Sequence, residues 1–141
     1  MSMFVSEISK TFRWEMGHRL AGHPLCGNPH GHSYAADIHL KGPVQDNGMV
    51  MDYGDLSALM KPLVAQLDHA FAVDQADALM GEFLRENGFR ILELPYPPTA
   101  ENLARWLAEA LAPQLPSGLV QLTVVVRETA HTTAQHTVAL G

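Results

Sequence analysis

The sequence predicts an α+β fold in which an antiparallel sheet carries two main helices packed on one face. Two observations support this fold class. Apolar and polar residues alternate with period two along residues 6–18 and 120–126, which is typical of half-buried strands. Between these segments apolar residues recur at helical spacing twice, in residues 53–67 and again after Thr99. The order strands, helix, helix, strands is typical of helices on one face of a sheet.

The first half of the chain predicts two strands joined by a loop. In residues 6–18 one face of the strand carries Phe12, Trp14, Met16 and His18. Residues 19–29 contain two glycines and two prolines and are expected to form an ordered loop. A second strand is predicted over residues 32–41, because Gly42 and Pro43 end the extended pattern.

The remaining elements follow from caps and apolar stripes. Asp52 is the predicted N-cap of a helix over residues 53–67, which Pro62 should bend or restart. A short helix over 76–87 and a brief strand over 90–94 precede Thr99, the predicted N-cap of the second long helix. Strands over 120–126 and 135–140 complete a single domain spanning residues 1–141.

Composition and charge exclude several classes of function. Fifteen acidic against nine basic residues give a net charge of −6 without a basic block, which argues against nucleic-acid binding. No apolar run approaches the roughly 20 residues that span a bilayer. The N-terminus lacks the pattern of a signal peptide, and one cysteine forms no internal disulfide. The sequence therefore predicts a cytoplasmic protein without a membrane partner.

A cluster of histidines predicts a metal site. Four of the eight histidines fall between positions 18 and 32. His30 and His32 would leave the same face of an extended strand, and His18 at the end of the first strand could lie opposite them. Three imidazoles with an open fourth position are typical of catalytic zinc. The alternative is a polar strand entry with a packed histidine, and spacing alone does not decide.

Three further positions carry candidate chemistry. Cys26 could be a fourth zinc ligand, a small buried hydrophobe or a reactive thiol with a base function. Asp68 and His69 are either a carboxylate–imidazole pair or an exposed helix end. Glu128, directly after an apolar strand, is a solvated exit from the sheet or an anchor for a donor-rich ligand such as an amino-pyrimidine edge. No role is predicted for the other four histidines, which are His23, His39, His131 and His136.

These segments together resemble the 6-pyruvoyl-tetrahydropterin synthase superfamily over nearly the whole chain. The matching segments are WEMGHRL (14–20), CGNPHGHSY (26–34), LDH (67–69), PTAEN (98–102) and RET (127–129). The short Cys-x-x-x-His-Gly-His spacing is similar to the bacterial 6-carboxy-tetrahydropterin synthase branch of the queuosine pathway.

The resemblance implies a tunnelling fold, with sheets joining into a trimeric barrel, two trimers stacking as a homohexamer, and active sites between subunits. It implies conversion of 7,8-dihydroneopterin triphosphate to 6-carboxy-tetrahydropterin with release of acetaldehyde and triphosphate. A 6-pyruvoyl-tetrahydropterin synthase and a non-catalytic metal- or pterin-binding module are the alternatives.

The resemblance also assigns roles to residues. Zn²⁺ would be held by His18, His30 and His32, and Cys26 would be the general base. Asp68 and His69 would move the second proton. Glu128 would anchor the pterin, with Thr99 and Glu101 beside it. Residues 70–97 depart from compact members by an insertion. Apart from the resemblance, the positive charge for the triphosphate is expected from Arg13, Arg19, Lys41 or Arg127 at a subunit interface.

Overall fold

The computed structural model describes residues 4–141, in which one six-stranded sheet packs against helices. The strands are β1 (Val5–His18), β2 (His30–Pro43), β3 (Ala70–Asp74), β4 (Ile91–Leu94), β5 (Gln121–Thr129) and β6 (Thr132–Ala139). The helices are α1 (Tyr53–Leu67), α2 (Ala78–Glu86) and α3 (Ala100–Leu111), the last followed by a short 3₁₀ turn over Ala112–Gln114. The fold class predicted from the sequence is confirmed.

The order of strands across the sheet is β4-β3-β1-β2-β5-β6. The four strands β1, β2, β5 and β6 are antiparallel, as predicted. The prediction of a purely antiparallel sheet is incomplete, because β3 pairs in parallel with both β1 and β4. The unit β3-α2-β4 supplies the helical crossover that two parallel neighbours require.

The main core lies between the sheet and the pair α1 and α3. Alternate residues of β1 and β2, such as Trp14, Met16, Tyr34 and Ile38, point into it and are at most 3% exposed. The helix α1 has the predicted bounds and begins at Asp52, whose carboxylate accepts the N–H of Gly54 at 2.6 Å. It continues through Pro62, which lies on the solvent side of the helix.

The short helix α2 lies on the opposite face of the sheet from α1 and α3. In β3, Ala70 and Ala72 belong to the main core, whereas Val73 packs in a separate cluster with Met80 and Leu84 of α2. Because successive strand residues point to opposite faces, α2 covers the back of the sheet at its β3–β4 end. Among the helices of residues 4–141, none is long and apolar enough to cross a membrane.

Candidate metal centre and active site

The first feature of the site is the register of the β1–β2 hairpin. His18, the last residue of β1, pairs directly with His30, the first residue of β2, and Met16 pairs with His32. All three imidazoles therefore leave the same face of the sheet. Their ligand nitrogens lie within 4.8 Å of one another, and the Nε2 atoms of His18 and His30 are 3.1 Å apart.

Backbone carbonyls orient two of the three imidazoles. His18 Nδ1 lies 2.8 Å from the carbonyl oxygen of Pro98, and His30 Nδ1 lies 2.7 Å from that of Asn28. A carbonyl oxygen can only accept a hydrogen bond, so each Nδ1 carries the proton and each Nε2 keeps a lone pair facing the cluster. Metal-binding histidines in proteins are held in this way.

The donor set fits a metal ion. Within residues 4–141, His32 Nε2 is buried and has no hydrogen-bond partner, although an unpaired buried polar atom is costly. His18 is 1% exposed, and burial lowers the pKa of its imidazole despite the neighbouring Pro98 carbonyl and Glu128. A lowered pKa favours the neutral imidazole, which is the form that coordinates metals. The three histidines are therefore compatible with a metal site.

An aromatic layer supports the cluster from the core side. The Tyr34 ring lies 5.5 Å from that of His32 and 6.0 Å from that of His18, edge to face in both cases. The Trp14 ring extends this layer: it stacks parallel to the Tyr34 ring, with the two ring centroids 5.4 Å apart. Burial, followed by the charge of Glu128, raises the pKa of the Tyr34 hydroxyl, so Tyr34 stays neutral.

Glu128 connects the histidines to an open cleft. Its Oε1 atom lies 3.1 Å from His32 Nε2 and 3.9 Å from His18 Nε2, the shorter contact lacking hydrogen-bond geometry. The same side chain lines a cleft of about 480 Å³ with Glu101, Ala100 and residues 132–135 of β6. This volume is within the range of small-molecule sites, about 300–1,000 Å³. Two carboxylates there suit a ligand rich in N–H donors.

Thr99 has a different place from Glu101. Its hydroxyl accepts the N–H of Asn102 at 3.2 Å and so caps α3, as the sequence predicts. It therefore fixes the start of the helix that carries Glu101 into the cleft.

Cys26 lies half-buried as a free thiol in the β1–β2 loop. Over residues 4–141 its sulfur makes no hydrogen bond to the imidazoles, whereas its backbone is firmly held. The Cys26 N–H donates to His23 Nδ1 at 2.9 Å, and the Cys26 carbonyl accepts from Leu20 N–H at 2.7 Å. A Cβ on the following Gly27 would lie 2.5 Å from the His23 carbonyl oxygen, so this tight turn requires glycine.

Asp68 and His69 form a pair away from the imidazole cluster. His69 Nδ1 lies 3.1 Å from Asp68 Oδ2, and His69 is 75% exposed with φ +60°. Asp68 Oδ1 accepts the N–H of Glu15 at 2.9 Å, which is the main reason that the pKa of Asp68 is lowered. In the described part of the chain no hydrogen bond or ion pair joins the pair to the three histidines.

The sequence matches the family model described as 6-pyruvoyl tetrahydropterin synthase over residues 7–138, which is nearly the whole chain. The chain belongs to the 6-pyruvoyl tetrahydropterin synthase family. The family resemblance drawn from the sequence is thereby confirmed.

Relatives of this chain carry the name of a specific enzyme. The chain is 34% identical to a probable 6-carboxy-5,6,7,8-tetrahydropterin synthase of Halobacterium salinarum, over 89% of this chain and 82% of the relative. It is 31% identical to the 6-carboxy-5,6,7,8-tetrahydropterin synthase of Aquifex aeolicus, over 92% of this chain and 96% of the relative. The fold also matches the crystal structure of 6-pyruvoyl tetrahydropterin synthase from Plasmodium vivax, with a TM-score of 0.81 at 15% identity, covering 97% and 99% of the two chains.

Two of the four residues proposed for triphosphate binding are paired with carboxylates in this family member. Arg127 Nη2 donates to Asp37 at 2.9 Å, and Arg19 makes two 2.7 Å hydrogen bonds to Asp77. Arg13 lines a separate groove with Lys61 and Phe12, and Lys41 is exposed. Two of the four candidates are thus engaged with carboxylates of the same chain.

Sequence reasoning missed several groups that build the site of this synthase-family chain. Tyr34 could have been found, because it lies two residues beyond His32 on the same face of a predicted strand. His23, to which no role was assigned, accepts the backbone N–H groups of Leu25 and Cys26. The Pro98 carbonyl, 80 residues from His18, had no local signal.

Proposed function

We propose that this chain is a zinc-dependent 6-carboxy-tetrahydropterin synthase. In this proposal it converts 7,8-dihydroneopterin triphosphate to 6-carboxy-5,6,7,8-tetrahydropterin, releasing acetaldehyde and triphosphate, as a lyase of the queuosine pathway. The observation that carries the proposal is the three-histidine cluster beside a carboxylate-lined cleft, in a chain 31–34% identical to relatives of that name. The metal would be Zn²⁺, because three imidazoles with an open position suit catalytic zinc.

The residues would divide the work between binding and proton transfer. Zinc, when held by His18, His30 and His32, would supply Lewis-acid polarisation of the hydroxyls on the substrate side chain. The Cys26 thiolate takes a proton from a side-chain carbon. Glu128 accepts two N–H bonds from the amino-pyrimidine edge of the pterin, and Glu101 lines the same cleft. The Thr99 cap fixes the position of Glu101.

Asp68 and His69 would complete the site of a neighbouring subunit. They are joined to each other and to Glu15 rather than to their own imidazole cluster, and His69 is largely exposed. We therefore expect a homo-oligomer, a trimer or a hexamer, in which this pair reaches the metal of the next chain. Both outer strands, β4 and β6, leave a free sheet edge through which barrel closure would proceed.

Product analysis tests the chemistry. Purified protein with measured zinc content is incubated with dihydroneopterin triphosphate, and the pterin mass and acetaldehyde are recorded. A 6-carboxy product with stoichiometric acetaldehyde is expected. The family model favours a second candidate, a 6-pyruvoyl-tetrahydropterin synthase, for which the three-carbon side chain stays intact and acetaldehyde is absent.

The Cys26→Ala variant separates a base from a ligand. As a base, its loss abolishes turnover while zinc stays bound at the wild-type ratio. As a fourth ligand, its loss also lowers the zinc content. Zinc-loaded wild-type protein that turns over no pterin would instead support a non-catalytic binding module.

Complementation tests the shared site. Cys26→Ala and His69→Ala chains are each expected to be inactive alone. Refolded as a one-to-one mixture, they should regain about a quarter of wild-type activity, because random assembly gives that fraction of sites both intact groups. No recovery would place both groups in the same chain.

A further inference from the structure

The loop that carries Cys26 is organised internally by His23. The His23 Nδ1 atom accepts two backbone N–H groups, that of Leu25 at 3.2 Å and that of Cys26 at 2.9 Å. The His23 carbonyl oxygen accepts the Gly27 N–H at 3.0 Å. These bonds set the shape of the turn, but they are all made within the loop. They do not fix the position of the loop relative to the sheet.

A second set of contacts ties the loop to the body of the protein. The Arg19 guanidinium donates to Asp77 through Nε and Nη2, each at 2.7 Å, and to the Gly27 carbonyl through Nη1 at 3.3 Å. The side chains of Asp77 and Arg19 are only 6% and 18% exposed. A two-pronged arginine–carboxylate contact fixes both distance and orientation. We call this set, Arg19, Asp77 and the Gly27 carbonyl, the Arg19 clamp.

At its far end the Arg19 clamp is attached to helix α2, which packs against the sheet. Asp77 is the N-cap of α2, where its Oδ1 also accepts the Met80 N–H at 3.3 Å. Met80 and Leu84 of α2 pack on Val73 of β3. The β3-α2-β4 unit therefore holds the carbonyl of the residue that directly follows Cys26, through the Asp77 carboxylate and the Arg19 side chain.

We propose that Asp77 and Arg19 are positioning residues for Cys26, and that the β3-α2-β4 unit serves to hold the loop that carries Cys26. This inference rests on the proposed function in taking Cys26 as the base. A general base must lie within hydrogen-bond reach of the proton it removes, and a misplacement of about 1 Å costs roughly 10²-fold in rate. The hydrogen bonds made by His23 do not supply that placement, whereas the Arg19 clamp ties Gly27, the residue next to Cys26, to the N-cap of α2.

Two variants release the clamp while preserving the fold. Asp77→Asn keeps an N-cap for α2, because asparagine caps helices as well as aspartate, but it sets amide N–H groups against the guanidinium. Arg19→Lys keeps the charge near Asp77 but cannot reach Asp77 and the Gly27 carbonyl together. Glu93→Gln is the matched control, because Glu93 of β4 also pairs with an arginine, Arg85 of α2, and lies outside the loop that carries Cys26.

The experiment uses the single cysteine as its reporter. Wild type and variants are treated with iodoacetamide, and the alkylation rate of Cys26 is measured alongside hydrogen exchange of the amides in residues 20–27. Loss of a charge-assisted hydrogen bond is expected to raise both rates about tenfold in Asp77→Asn and Arg19→Lys. Glu93→Gln should stay within about twofold of wild type.

Kinetics separate positioning from a purely structural effect. In both clamp variants kcat should fall at least about tenfold, with KM within about threefold and zinc content unchanged. Alkylation and exchange rates equal to those of Glu93→Gln would overturn the inference. So would a fall in kcat that only follows the loss of zinc or of folded protein. If wild type turns over no pterin, the proposed function fails, whereas the alkylation and exchange contrast still decides whether the clamp holds Cys26.

Discussion

Replacement of Gly27 by alanine should reduce turnover while leaving the metal in place. The added Cβ would lie 2.5 Å from the His23 carbonyl oxygen, whereas ordinary contact begins at 3.4 Å. The neighbour is backbone, so it cannot rotate away, and the loop must move by about 0.9 Å to relieve the overlap. The displacement falls on the residue adjacent to Cys26.

The magnitude follows from the size of that shift. A displacement near 1 Å at a reacting group costs roughly 10²-fold in rate, or about 2.7 kcal/mol in activation free energy. The zinc content should not change, because His30 and His32 lie on β2, where pairing with β1 fixes their backbone.

The assay is kcat for dihydroneopterin triphosphate, with zinc per chain measured on the same sample. Gly54→Ala is the control, because its new Cβ would meet only the end of the flexible Asp52 side chain, at 3.0 Å. Wild-type kcat in Gly27→Ala, with zinc bound, would refute the argument that the turn after Cys26 has to be this tight.

Three more predictions concern the metal, acid stability and the core. His30→Ala should lower bound zinc by at least about tenfold, as measured by equilibrium dialysis against a competing chelator. The Arg19 hydrogen bonds hold the pKa of Asp77 below its ordinary 3.8, so the stability they contribute is present above that pH and is lost as pH falls through the lower folded value. The free energy of unfolding of Asp77→Asn, measured by urea titrations at a series of pH values, should therefore fall less steeply below pH 3.8 than that of the wild type. Equal slopes for the two proteins would contradict this. Leu107→Ala, at a fully buried position of α3, should cost about 2–5 kcal/mol and lower Tm by roughly 10 °C in calorimetry.

Elements with strong local patterns could be predicted from the sequence. The alternation in β1 and β5 and the apolar stripes of α1 and α3 come from burial on one face, which leaves a periodic record in the chain. The α1 bounds agree with the prediction because Asp52 caps one end and Leu67 ends the stripe.

The parallel strand β3 could not be predicted in the same way. Its five residues, Ala70–Asp74, are buried by the main core on one face and by α2 on the other, so no alternation appears. The strand also starts directly after His69, whose positive φ redirects the chain without a glycine to signal it. Its pairing with β1 is a tertiary contact with no local trace.

In the candidate site, too, some groups could be predicted from local patterns and others could not. The His18–His30–His32 cluster lies on a hairpin whose two strands were both predicted, so the shared face of the three imidazoles followed from local patterns, although spacing alone did not decide whether they form a metal site. The contact of Arg19 with Asp77 joins residues 58 apart in the sequence, so no local pattern predicts it. Contacts between residues so distant in the sequence can be identified only from the tertiary structure.

The pairing of His18 with His30 and of Met16 with His32 has a consequence for folding. A slip of β2 by one residue against β1 would send His30 and His32 to the opposite face from His18, since side chains alternate along a strand. An ion bound by all three imidazoles is therefore incompatible with a one-residue slip of the two longest strands. Metal binding during folding would therefore stabilise chains with the native strand register relative to chains in which the two strands have slipped by one residue.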